Sequence, residues 1–138
     1  MTKDELKQKL KSAWTVHKML ESNFAVLQNL DDIANNITPA YSMAPGGSGT
    51  GQKLENAIIK KADLEMAIRE EYEQLVDRLR EVRSLIKLVD DPMQRLILQK
   101  RYINYQKWEV IAADLGYSWR QVHRLHGKGL NTIFRKMS

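Results

Sequence analysis

"WEVIAADLGYSWRQVHRLHG", residues 108–127, decides how the last third of this chain folds. Ile111 and Leu115 lie one turn apart and face inward from a first short helix. Ala112 is small where a second helix must pass close, and Gly116 follows four residues later, where a tight turn requires the positive φ that glycine adopts freely. Ser118-Trp119-Arg120-Gln121 is a capping box of the S-x-x-Q type, which starts the second helix. Val122 and Leu125 then point inward from it. The pattern predicts a helix-turn-helix whose second helix turns Trp119, Arg120, Gln121, His123 and Arg124 outward.

The first turns of such a second helix enter the major groove of double-stranded DNA. Arg120 and Arg124 can pair bidentately with guanine, and Gln121 with adenine unless its amide is spent on the cap. Trp119 either meets the sugar-phosphate backbone or thymine methyls, or packs on its own module; His123 is expected as an outward contact. Lys107, Ser118, Lys128, Arg135 and Lys136 suit phosphates. Arg101 does the same or pairs with Glu109. Beyond this stretch Leu130 and Ile133 keep the inward phase of Val122, which predicts that the helix continues through Gly127 and Gly129. Each glycine costs about 1 kcal/mol of helix stability relative to alanine. That cost makes sense where another helix, the one expected over 92–103, crosses closely.

Charge supports the same assignment. Residues 92–138 hold nine bases against Glu109 and Asp114, a net +7, while the other 91 residues hold 13 bases and 15 acids, a net −2. Such asymmetry points to a polyanion facing the carboxy-terminal part.

Upstream, apolar residues recur at Leu6, Leu10, Ala13, Leu20, Phe24 and Leu27, with His17 filling one gap, and predict a helix from residue 4 to about 37. A second apolar set, Trp14, Val16, Met19, Val26, Leu30 and Ile33, needs a further partner: another chain or the carboxy-terminal module. Thr38-Pro39 is expected to end this helix. The stretch 39–52, rich in glycine and proline, reads as a flexible connector. It nearly spells a phosphate-binding loop, but Gln52 stands where the lysine belongs and no strand precedes it. A second helix, about 53–88, carries Ile68, Tyr72, Leu75, Leu79, Val82, Ile86 and Val89 at alternating steps of four and three, a coiled-coil seam. Asp91 and Pro92 then suit the N-cap and first position of the next helix, which would bury Leu96, Ile97 or Leu98, Tyr102 and Ile103.

The expected fold class is all-α: a long antiparallel helical hairpin over 1–90, oligomerising through the amino-terminal helices, then a helix-turn-helix domain over 91–138. Several functions are excluded or disfavoured. Without cysteine there is no disulfide, thiolate nucleophile or Cys-zinc site. His123-x-x-His126 lacks a third ligand, with His17 far off in sequence, so no metal is expected; His126 reads as an inward packing residue. No catalytic constellation is visible and no cofactor is called for. Lys3, Asp4, Glu5, Lys7 and Lys9 interrupt any signal-like apolar run, and no stretch suits a membrane span, so the expected location is the cytoplasm, which the resemblance named below would make that of a bacterial host cell.

The stretch "LQKRYINYQKWEVIAADLGYSWRQVHRLHGKGLNTI" resembles region 4 of bacterial sigma factors, and the layout is similar to phage and prophage regulators of late transcription built on that region. The match spans about 92–136 and keeps Arg101, Tyr102, Trp108, Glu109, Ile111, Ala112, Leu115, Gly116, Tyr117, Ser118, Gln121, Val122, Arg124, His126 and Gly127; it departs at Gln99 and Gly129. The resemblance implies a sequence-specific transcription regulator acting through promoter DNA and RNA polymerase. DNA-packaging proteins of the small-terminase kind, or a helical protein-interaction module, are the alternatives.

Overall fold

The computed structural model describes residues 2–43 and 48–137, with side chains throughout except at 34 and 36–50. Among the described residues there are five helices and no strand: α1 (Lys3–Met43), α2 (Ser48–Ile86), α3 (Pro92–Tyr102), α4 (Trp108–Leu115) and α5 (Trp119–Met137). The all-α expectation holds, and no described helix is long and apolar enough to cross a membrane.

The helix boundaries carry their causes. At the start of α1 the Thr2 hydroxyl accepts the Glu5 N–H while the Glu5 carboxylate accepts the Thr2 N–H, both at 3.1 Å, a reciprocal cap. Thr38-Pro39 does not end α1, which runs on to Met43; a proline forfeits one i→i−4 bond without forbidding the next turn. The connector expected over 39–52 is therefore helical at 39–43 and 48–52, and its centre, 44–47, lies outside the described residues. Asp91 caps α3 by accepting the Gln94 N–H at 2.9 Å, with Pro92 at the first position as expected.

The chain divides into two compact units. One unit joins 1–16 to 75–138; the other is 17–74. In the first unit Leu6 and Leu10 of α1 and Val82, Leu85 and Ile86 of α2 pack with Leu98, Tyr102, Leu130 and Ile133. A second cluster, Ile97, Ile111 and Val122, joins α3, α4 and α5, with Leu115 and Leu125 packed against it. Burying each such Leu, Ile or Val contributes roughly 1.5–3 kcal/mol before chain entropy is subtracted. In α3 Leu96 is exposed, so Ile97 and Leu98 carry the core face together. The last carbonyls around the α2 terminus are satisfied by cations: Arg95 donates to the Val89 carbonyl at 3.0 and 2.7 Å, and Lys136 to the Leu88 carbonyl at 2.7 Å.

In the second unit α1 and α2 are antiparallel, since Asn23 meets Glu71 and Asp31 meets Lys61. The seam departs from the expected one in one turn of each helix. Phe24 and Tyr72 are 54% and 59% exposed, and their neighbours Asn23 and Glu71 take the half-buried positions instead. A satisfied amide–carboxylate pair can hold a seam position, and it leaves the two wide rings at the margin.

Candidate functional site

The link between α4 and α5 forms as its residues dictate. Gly116 adopts φ 68°, and its N–H and that of Tyr117 return to the carbonyls of Ala113 (3.3 Å) and Ala112 (3.1 Å), closing α4 in a Schellman arrangement. Ser118 starts α5, its hydroxyl accepting the Gln121 N–H at 3.1 Å. Only the hydroxyl half of the capping box is made, and among the described residues the Gln121 side-chain amide makes no hydrogen bond.

Beyond that cap, α5 runs unbroken through both glycines to Met137. A methyl group on Gly129 would lie 2.9 Å from Leu98 Cδ1, the close crossing of α3 that the glycine permits. Gly127 has nothing within 4 Å and no such reason.

Of the residues expected outward at the front of α5, Arg120 and Arg124 are exposed, Trp119 is 58% exposed and Gln121 is half-buried. His123 is not the free outward contact expected. Its ring lies between two indoles, 4.2 Å from Trp108 and 3.9 Å from Trp119, centroid to centroid. Nε2 of His123 is buried with no hydrogen-bond partner, and desolvation, with Arg101 nearby, lowers its pKa. Trp108 and Trp119 are the first residues of α4 and α5, so one imidazole separates the starts of both helices. Periodicity alone places His123 outward; the two indoles at helix starts were the available signal that it stacks.

His126 is inward as expected. Its Nε2 lies 2.6 Å from the Tyr102 hydroxyl, and its ring meets Trp108 edge-on at 4.8 Å. Burial, reinforced by His123, Lys7, Arg101 and Lys11, pushes its pKa down to about 4, while burial pushes that of Tyr102 up to about 12. Both groups are therefore neutral near pH 7. Among the described residues no set of three metal-ligating side chains comes together.

The phosphate candidates separate. Lys107, Ser118, Lys128 and Arg135 are exposed. Lys136, though at the surface, is engaged with the Leu88 carbonyl and with Asp90 Oδ2 at 2.8 Å. Arg101 is half-buried; it donates to the Gln106 carbonyl at 3.0 Å and lies over the Trp108 ring at 4.6 Å, rather than pairing with Glu109. Both are engaged within the fold, because a free carbonyl, a carboxylate or an indole face offers a cation a fixed partner.

Basic residues from the far end of the sequence join this unit. Leu6 and Leu10 share a cluster with Leu130 and Ile133, Lys3 Nζ stands 6.0 Å from the Phe134 ring, and exposed Lys7 and Lys11 are close enough to act on His126. Their four-residue spacing was visible, but nothing local showed which unit α1 begins in. With them, the unit of 1–16 and 75–138 holds 17 bases and 8 acids, net +9, against 5 and 9, net −4, for 17–74.

Comparison with family models, with curated proteins and with solved structures finds no match to this chain.

Proposed function

We propose that the chain is a sequence-specific DNA-binding transcription regulator, of the phage late-gene kind, in which α4 and α5 act as a helix-turn-helix like that of sigma region 4. The observation that carries this reading is the front of α5. Arg120 and Arg124 are exposed and Gln121 has an unspent amide, on a helix whose opposite face, Val122, His126, Leu130 and Ile133, is buried. The helix would lie in the major groove with these three as readers. Trp108 and Trp119, separated by His123, would set the spacing of the two helix starts. The net +9 of the surrounding unit suits a phosphate backbone. RNA polymerase is the proposed protein partner, on the resemblance alone.

The test is selection of duplexes from a random pool, followed by binding of the selected site to Arg120→Ala and Arg124→Ala. Removing either bidentate pair should cost about 1–3 kcal/mol and relax preference at one base pair. Failure of the pool to enrich any sequence would rule out sequence-specific reading.

A second observation concerns self-association. On the 17–74 unit Met19, Val26 and Ile33 repeat every seven residues on α1 and are exposed, as are Ile58, Ile59 and Met66 on α2. We propose that these faces pair copies of the chain. A dimer in solution fits a regulator; a ring of eight or more copies would favour the packaging alternative.

A further inference from the structure

We propose that Trp119 reads the 5-methyl group of thymine, and that His123 and Trp108 are the positioning residues that hold its ring for that contact. The inference rests on the DNA-binding reading above and adds a fourth reader, Trp119, to Arg120, Gln121 and Arg124.

Four flat groups from three helices lie in succession: the Arg101 guanidinium, Trp108 at 4.6 Å, His123 at 4.2 Å and Trp119 at 3.9 Å. The first three are half-buried; the last ends the series, its ring tilted by 41° to that of His123 and the residue 58% exposed. An exposed tryptophan without support would lose rotamer freedom on meeting a ligand. Here the stack has already restricted it, which lowers the entropic cost of binding.

His123 behaves as a spacer. Its Nε2 is buried and without a partner, so this nitrogen forgoes a hydrogen bond where the ring lies against both indoles. At the other end, Trp119 offers a large apolar surface from the first residue of α5, the position that leads the helix into the groove. Base edges in the major groove present donors and acceptors with one apolar exception, the thymine C5-methyl. A fixed apolar ring among Arg120, Gln121 and Arg124 matches that exception. Deoxyribose of the backbone is the competing apolar occupant.

The experiment uses the full chain and duplexes selected from a random pool, then resynthesised with deoxyuridine in place of thymidine. Removing one buried methyl should weaken wild-type binding roughly fourfold. Trp119→Ala should bind the thymidine duplex more weakly and treat the two duplexes alike. His123→Ala should lose much of the discrimination while keeping the salt dependence of binding, a separation that general loosening of the fold would not produce. Melting curves of both variants establish that they fold. Equal wild-type binding to both duplexes, a selected site without thymine, or discrimination that survives Trp119→Ala overturns the proposal and points to backbone packing. Absence of any DNA binding by the wild type overturns the underlying reading as well.

Discussion

The Asn23 amide donates to both carboxylate oxygens of Glu71, at 2.8 and 2.6 Å, in the seam between α1 and α2. A polar pair at such a position fixes register, because any slip leaves an amide and a charge unpaired among apolar side chains. Asn23→Ala should cost about 1–3 kcal/mol in urea melts by leaving Glu71 unsatisfied. Asn23→Leu with Glu71→Leu should recover most of that loss. A double-mutant cycle with no coupling between the two positions would show that the pair is incidental.

Gly129 and Gly127 should respond oppositely to the same change. Gly127→Ala adds a methyl in open space and should stabilise α5 by up to about 1 kcal/mol. Gly129→Ala gains the same propensity but drives a methyl to within 2.9 Å of Leu98 Cδ1, on a fully buried side chain. Overpacking of about 1–3 kcal/mol should outweigh the gain, leaving the variant less stable than the parent. Thermal melts of the two variants side by side check the contrast.

His126 makes stability dependent on acid. Its pKa falls from an ordinary 6.5 to about 4 in the fold, so between these values the unfolded chain binds the extra proton. Stability from this group is complete above pH 6.5 and is lost as pH falls towards 4. The full loss is about 3 kcal/mol by that shift. Lys7, Lys11, Arg101 and His123 all oppose a charge on the ring. His126→Phe should flatten the melting temperature between pH 4 and 6.5, measured against the parent; an unchanged profile would place the acid sensitivity elsewhere.

Lys7 and Lys11 lie in the net-positive unit, beside α5, despite standing at the other end of the sequence. If this unit meets DNA as proposed, replacing either by alanine should reduce the slope of log affinity against log salt by about 1, one phosphate fewer being neutralised. Lys60→Ala, in the net-negative unit, should leave the slope unchanged. An unchanged slope for Lys7→Ala with Lys11→Ala would confine the polyanion surface to α3, α4 and α5.

Local chemistry was the legible part. Gly116, Ser118, Asp91 and Pro92 act within a few residues of themselves, and the structure bears out Gly116, Asp91, Pro92 and the hydroxyl half of the Ser118 cap. Val122 and Ile111 follow from helical spacing in the same way, whereas in α3 spacing left Ile97 or Leu98 open and both are buried. Less legible were choices between neighbours on a helix. Phe24 outranks Asn23, and Tyr72 outranks Glu71, for any reading that scores apolarity one residue at a time; their mutual satisfaction exists only once two helices meet. The stack on His123 was hidden for the same reason, being assembled from three helices. Lys136 and Arg101 illustrate the converse. A surface-looking cation reads as free until a carbonyl or a ring from a distant segment takes it up.

The unit that packs Leu6 and Leu10 against Leu130 and Ile133 is sewn from opposite ends of the chain, with 17–74 making an excursion between. Closing a loop that long is slow, although the entropic cost grows only with the logarithm of its length. During synthesis α1 emerges before α2 and α3, and its leucines gain their last neighbours, Leu130 and Ile133, only when α5 has left the ribosome. A nascent chain that stops short of α5 therefore offers Leu6 and Leu10 only the α2 and α3 part of their cluster. Synthesis through α5, and not merely of the helices before it, is what completes this cluster.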